Sequence, residues 1–172
     1  MKHFLCLIGL FCTVQGLMAQ NPENKIRELG ISLPAPSAPV ANYVKYVKTG
    51  NLVFLSGHGP AKADGSYITG KLGRDLTIEE GYAAARQTGI GLLTTLKAAV
   101  GDLNKVKRIV KVLGMVNCTE SFADQPKVIN GFSDLMVAIF GEKGKHARSA
   151  VGMNALPMNM AVEIEMIVEL ED

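Results

Sequence analysis

Two residues near the C-terminal end, Arg148 and Glu163, have side chains suited to chemistry on a small ligand. An arginine presents a rigid planar fork that grips a carboxylate through two parallel hydrogen bonds. Its neighbours Ala147, Ser149 and Ala150 are small and leave room for such a ligand. A glutamate set beside a reacting centre orients water or carries a proton. Each also has a plainer reading. Arginine at a strand start often serves as a solvated edge residue or an ion-pair partner, and strands commonly show glutamate on an outer face.

The elements that must position this pair are two strands, predicted over 147–154 and 161–170. In the last strand Val162, Ile164, Met166, Val168 and Leu170 alternate with Ala161, Glu163, Glu165, Ile167 and Glu169, which places the two sets on opposite faces. In the preceding strand Arg148, Ala150, Gly152 and Asn154 share a face. A turn around Leu156-Pro157-Met158-Asn159 would fold the two into an antiparallel hairpin. Whether Arg148 and Glu163 then share a sheet face depends on register, which alternation alone does not fix.

Further upstream, Tyr43 to Lys48 and Leu52 to Ser56 are β-rich runs separated by Thr49-Gly50-Asn51, the spacing of a hairpin. A brief third strand is predicted at Tyr67-Ile68-Thr69. Thr77 with Glu80 forms a capping box at the start of a long helix. Its apolar residues Ile78, Tyr82, Ala85, Gly89, Leu92, Leu93, Leu96 and Val100 recur at spacings of three and four, and Gly101 ends it. Gly89 and Gly91 inside this helix suggest close packing of helix on sheet.

Val106 to Asn117 reads as a strand apolar on both sides, with Val110, Val112 and Val116 on one face and Ile109, Leu113 and Met115 on the other. Such a strand needs cover on both faces. Helices supply one cover, and another subunit is the expected source of the second. A second helix is predicted from Gln125 or Pro126 to Phe140. The resulting order of elements, with long helices on one face of a mixed sheet, defines an α+β fold.

The N-terminal end reads differently. Met1 to Ala19 joins a basic start at Lys2 to an apolar run from Phe4 to Val14, the pattern of a secretory signal peptide and too short to span a bilayer. The expected organisation is therefore a signal segment at 1–19, an extended lead-in at 20–38 with a helical turn near Asn24 to Leu29, and one domain at 39–172. Export to the periplasm or the medium follows, with no membrane association after cleavage. Without the signal, 17 bases face 16 acids, a net charge of +1 that offers no footprint for nucleic acid. Cys6 and Cys12 depart with the signal, and Cys118 is left as a small buried hydrophobe with no disulfide partner. With only His58 and His146 beside it, Cys118 is poor material for a metal site.

The stretch His146-Ala147-Arg148-Ser149-Ala150-Val151, then Ala155-Leu156-Pro157, then Val162-Glu163-Ile164-Glu165-Met166-Ile167 resembles the signature of the RidA/YjgF family. The same order holds upstream in Tyr43-Val44, Thr49-Gly50-Asn51, Leu55-Ser56-Gly57 and Asn130, so the similarity spans Pro39 to Leu170. The resemblance implies a chorismate-mutase-like fold and a homotrimer with ligand pockets between subunits. It also implies hydrolysis of 2-imines and 2-enamines to 2-keto acids and ammonia without a metal or organic cofactor. A non-catalytic trimer that binds small carboxylates is the alternative.

Carried over by motif, Arg148 binds the substrate carboxylate and Glu163 positions or activates the attacking water. Tyr43 and Asn130 line the pocket, Asn130 from the same or the neighbouring subunit, and the Ser56-Gly57 backbone helps close it. Two departures stand out. His58 occupies the place after the Ser-Gly turn where the family often has glutamine, and either donates to a ligand or fills the turn. Ala150 replaces a frequent cysteine, so any role for that thiol is absent.

Overall fold

The structure, a computed structural model, describes residues 21–35 and 42–172. The expected signal segment lies outside the described residues. Part of the lead-in is helical: α1 (Pro22–Glu28) is capped by the Asn21 side chain and buries Ile26 against the body of the protein. Glu23 ties it down by pairing with Lys97 at 2.6 Å and accepting from the Leu103 amide. The helical turn expected near Asn24 to Leu29 is thus a docked helix that begins two residues earlier.

Strands β1 (Tyr46–Thr49) and β2 (Leu52–His58) form the expected hairpin, with Thr49 opposite Leu52 and Gly50 at φ +56 in the turn. The stretch Tyr67-Ile68-Thr69 makes no strand. Tyr67 and Thr69 form only isolated bridges, to Ala61 and Met160. Helix α2 (Ile78–Val100) carries the complete Thr77–Glu80 capping box and ends at Gly101. Strand β3 (Val106–Asn117), α3 (Gln125–Phe140), β4 (Ala147–Met153) and β5 (Val162–Leu170) complete the chain. The five strands make one mixed sheet in the order β1-β2-β5-β3-β4, with α2 and α3 packed on one face, an α+β fold.

The sheet order overturns the C-terminal hairpin. Strand β5 lies between β2 and β3, antiparallel to both, whereas β4 pairs in parallel with β3 at the sheet edge. The reason is the connection: β3–α3–β4 is a crossover, and a crossover helix lays its strands parallel. The residues between β4 and β5 then carry the chain past the end of β3.

Strand β3 also differs from a plain alternation. Register shifts at Val106/Arg108 and Ile109/Lys111 break the period of two. They bring Ile109 onto the helix-covered face with Val112 and Val116, all three fully buried. Leu113 and Met115 stay half-buried on the open face. Gly89 packs against helix α3 rather than the sheet: a Cβ there would lie 3.0 Å from Leu135 and 3.1 Å from Phe132. Gly91 faces His58 at ordinary contact distance. The tightest helix approach is at Gly131, where an added Cβ would overlap the backbone carbonyl of Tyr82.

Candidate functional site

Between Leu55 and His58 the β2–β5 register slips, so Ser56 and Gly57 form an irregular step in the strand. His58 holds this step. Its Nδ1 donates to the Ser56 carbonyl at 2.7 Å, which leaves Nε2 as the acceptor for the Thr95 hydroxyl at 2.8 Å. Both bonds belong to a neutral ring of one tautomer. Burial pushes the His58 pKa below its ordinary value, and its bond to the Ser56 carbonyl opposes that shift only in part. His58 therefore fills the turn, bridging sheet to helix α2.

Glu163 stands on the open face of β5, opposite Met115 of β3. The missing side chain of Gly57 makes space for it: an ideal Cβ on Gly57 would overlap Glu163 Oε1. Partial burial raises the Glu163 pKa above its ordinary value, and the neighbouring Glu165 charge adds to the shift. The result is a carboxyl group, half withdrawn from water, resting against an irregular strand backbone.

Arg148 occupies a different place. It opens edge strand β4 opposite Val112, on the helix-covered side. Its Nη1 donates to Asn130 Oδ1 and to Ser133 Oγ, both at 2.9 Å and both on α3. Those two bonds use both hydrogens of Nη1. Among the described residues no protein acceptor meets Nε or Nη2, and no carboxylate pairs with the guanidinium. The fork that would hold a carboxylate is open.

The expected site residues thus fall into groups. Ser56, Gly57 and Glu163 come together on one face. Arg148 and Asn130 come together on the other side, at the sheet edge, joined by Ser133 and His146. The row of Arg148 runs through Val112 to Met166, three residues along β5 from Glu163. With β3 interposed, the two Cα atoms are roughly 14 Å apart, and their side chains leave opposite faces. Tyr43 precedes β1, is 49% exposed and hydrogen-bonds to neither group among the described residues.

Ser133 and His146 are the partners that the sequence alone did not mark. The sequence marks His146 only as metal-site material and as part of the terminal motif. Ser133 follows Asn130 by one helical turn, so a reading of α3 by faces would have placed it beside Asn130. Among the described residues no group of three His, Cys, Asp or Glu side chains is placed to hold a metal ion.

A shallow hollow of about 300 Å³ lies on the open sheet face, with Phe54, Leu113 and Ile167 in its wall, and includes neither Glu163 nor Arg148. The chemistry points to the two polar clusters rather than to this hollow, whose exposed apolar lining has the character of an unfinished packing surface.

Comparison with known proteins finds matches along most of the chain. A family model described as "YjgF/chorismate_mutase-like, putative endoribonuclease" matches residues 23–170. Protein TCP17 of Trypanosoma cruzi is 47% identical over 148 residues, covering 86% of this chain and 92% of that protein. A 2-iminobutanoate/2-iminopropanoate deaminase of Dermatophagoides farinae is 34% identical over 143 residues, covering 82% of this chain and 95% of the relative. The crystal structure of Atu1372 from Agrobacterium tumefaciens, a protein of unknown function, superposes with a TM-score of 0.80 at 41% identity, covering 87% of this chain and 94% of that one. The match begins inside α1 and runs through β5, so it includes both clusters, and the chain belongs to the RidA/YjgF family.

Proposed function

We propose that this protein hydrolyses small 2-imines bearing a carboxylate, giving a 2-keto acid and ammonia, in a homotrimer whose clefts join Arg148 of one subunit to Glu163 of the next. The observation that carries the reading is the separation of two incomplete clusters. One has an open guanidinium fork without a carboxylate; the other has a desolvated carboxyl group without a cation. A relative of 34% identity is named a 2-iminobutanoate/2-iminopropanoate deaminase. The exposed apolar residues Val47, Phe54 and Val151 on the open sheet face suit burial against another copy.

In this mechanism the Nε/Nη2 edge of Arg148 binds the substrate carboxylate and fixes the imine carbon within reach of a water beside Glu163. Glu163 takes a proton as the water oxygen bonds to that carbon, and the C=N electron pair moves to nitrogen. Glu163 returns that proton to nitrogen, giving a carbinolamine. It then carries the remaining hydroxyl proton to nitrogen, the C–N bond breaks as the C=O bond forms, and ammonia leaves. A base is most effective when its pKa lies near the working pH, so a raised glutamate suits both halves of the transfer. Asn130 holds the arginine, Tyr43 closes the rim, and the Ser56-Gly57 step shapes the wall behind the water. The same proposal places the mature chain outside the cytoplasm, after loss of residues 1–19, where fractionation of cells would find it.

The test supplies 2-aminoacrylate generated in situ to the purified protein and follows keto-acid release. Glu163→Gln should lower kcat by about 10²-fold or more, the usual contribution of a positioned base. Arg148→Ala should act mainly on KM, raising it roughly 10- to 100-fold. No acceleration by the wild type, together with carboxylate binding that depends on Arg148, would leave a non-catalytic binding protein. Unchanged kinetics in Arg148→Ala would overturn the mechanism.

A further inference from the structure

We propose that Ser133 and His146 are positioning residues for Arg148, forming a hydrogen-bonded relay that aims its free edge and gives the site its preference for a carboxylate over an uncharged group. The inference rests on the carboxylate-binding role assigned to Arg148 above. It adds the device that makes a flexible side chain selective.

The relay has a fixed sense. His146 Nδ1 lies 2.7 Å from the Gly144 carbonyl and must donate to it, since a carbonyl oxygen only accepts. Nε2 of the neutral ring is then an acceptor, and the Ser133 hydroxyl 3.1 Å away donates to it. With its proton committed, Ser133 Oγ turns lone pairs toward Arg148 Nη1 at 2.9 Å. The second Nη1 hydrogen goes to Asn130 Oδ1. Each bond determines the direction of the next, from the Gly144 backbone to the guanidinium.

The surroundings hold the relay in place. The His146 ring meets Phe132 edge-on, with centroids 5.9 Å apart and planes at 70°. Gly144 is buried, with no room for a Cβ beside the Met136 carbonyl. Burial and the nearby Arg148 charge both lower the His146 pKa, which keeps the ring neutral and accepting. An arginine carries several rotatable bonds, and freezing them on ligand binding lowers affinity. Here that ordering is done before the ligand arrives, and the Nε/Nη2 edge is presented in the geometry that a planar carboxylate accepts in bidentate fashion.

The experiment compares the binding of 2-oxobutanoate with that of its uncharged amide, 2-oxobutanamide, by calorimetry on the full mature protein. Wild type should prefer the carboxylate. Ser133→Ala and His146→Phe, the second of which keeps the ring against Phe132, should each weaken carboxylate binding by about five- to tenfold. Amide binding should change little, so the preference collapses. Ser133→Thr, which retains the hydroxyl, should restore it, a rescue that a merely structural role would not give. A wild-type preference in both Ser133→Ala and His146→Phe, with Arg148→Ala abolishing it, would overturn the relay alone. A preference that survives Arg148→Ala would overturn the carboxylate reading and the relay with it.

Discussion

The Glu163 carboxylate occupies the space in which a side chain on residue 57 would have to stand. A Cβ built on Gly57 overlaps Glu163 Oε1 and comes within 2.9 Å of Cδ and 3.1 Å of Cγ. The backbone at Gly57 is not left-handed, so glycine is needed there for space and not for conformation. The atom in the way is the free end of a flexible side chain. Gly57→Ala should therefore displace the carboxylate with little effect on stability, a Tm within about 3 °C of wild type, while imine hydrolysis falls about 10²-fold. Thermal melts and keto-acid release measured on the same preparation separate these effects. Activity within threefold of wild type would show that the position of Glu163 is not used.

Glu163 also sets a stability term with a definite sign. Its folded pKa lies above the ordinary 4.5, so the fold favours the protonated form. That contribution is fully present below the ordinary value and is lost as pH rises through the raised one. At neutral pH the carboxylate is a burden, carried beside Glu165. Glu163→Gln should raise Tm at pH 7 by about 1–2 °C, and the gain should vanish when the melts are repeated at pH 4. The variant that loses activity is thus expected to be the more stable protein, as a residue retained for chemistry would be.

His58 behaves in the opposite sense. Its folded pKa lies below the ordinary 6.5, because burial disfavours the charged ring. Its neutral state therefore supports stability above that pH, and the support is lost as pH falls through the lowered value. Glutamine can donate to the Ser56 carbonyl and accept from Thr95 without titrating. His58→Gln should fold with a Tm at pH 7.5 within about 3 °C of wild type and lose less stability between pH 7 and pH 5. Paired melts across that range check the difference in slope. His146 is also held neutral by burial, so part of the slope will remain in the variant.

Two glycines at the helix pair should respond differently to the same added methyl group. At Gly131 the obstacle is the Tyr82 backbone carbonyl, which cannot move unless the helices separate. At Gly89 the neighbours are side-chain ends at 3.0 to 3.3 Å, which shift by small rotations. Gly131→Ala should lower Tm by about 5–10 °C, the effect of overpacking a rigid contact. Gly89→Ala should be close to neutral, because the gain in helix propensity of about 1 kcal/mol offsets the crowding. The pair of melts distinguishes backbone contact from side-chain contact.

What the sequence made legible was local. The capping box at Thr77, the stop at Gly101, the Gly50 turn and the alternation of β5 all rest on interactions within a few residues, and the fold keeps them. Pairing across distance was not legible in the same way. The alternation of β4 and β5 is identical whether they touch or flank β3. The signal that separates the cases lies elsewhere: a helix intervenes between β3 and β4, and the link from β4 to β5 is longer than the turn of a tight hairpin. The bulge at Val110 was likewise invisible, since every residue around it suits a strand. At the site, the residue types of Arg148 and Glu163 suggested a pair, but only the sheet order reveals that they leave opposite faces.

That separation yields the most direct test of a shared site. If each cleft draws its arginine from one subunit and its glutamate from the next, two impaired chains should repair each other when assayed well below KM, where the loss in Arg148→Ala is fully expressed. An Arg148→Ala chain retains Glu163, and a Glu163→Gln chain retains Arg148. In trimers assembled at random from equal amounts, a given cleft receives both intact groups in about one case in four, as expected for a head-to-tail ring interface. At low substrate the random mixture should therefore recover roughly a quarter of wild-type activity. The isolated mixed trimers, each with one intact cleft of its three, should recover about a third, while each variant assembled alone keeps about a tenth or less. Co-expression with two affinity tags isolates the mixed species, and light scattering counts its subunits. Were one protomer to supply both groups, no mixing ratio would restore activity, because every chain would lack one of the two. Recovery at that level is an outcome that only chains acting in pairs can give.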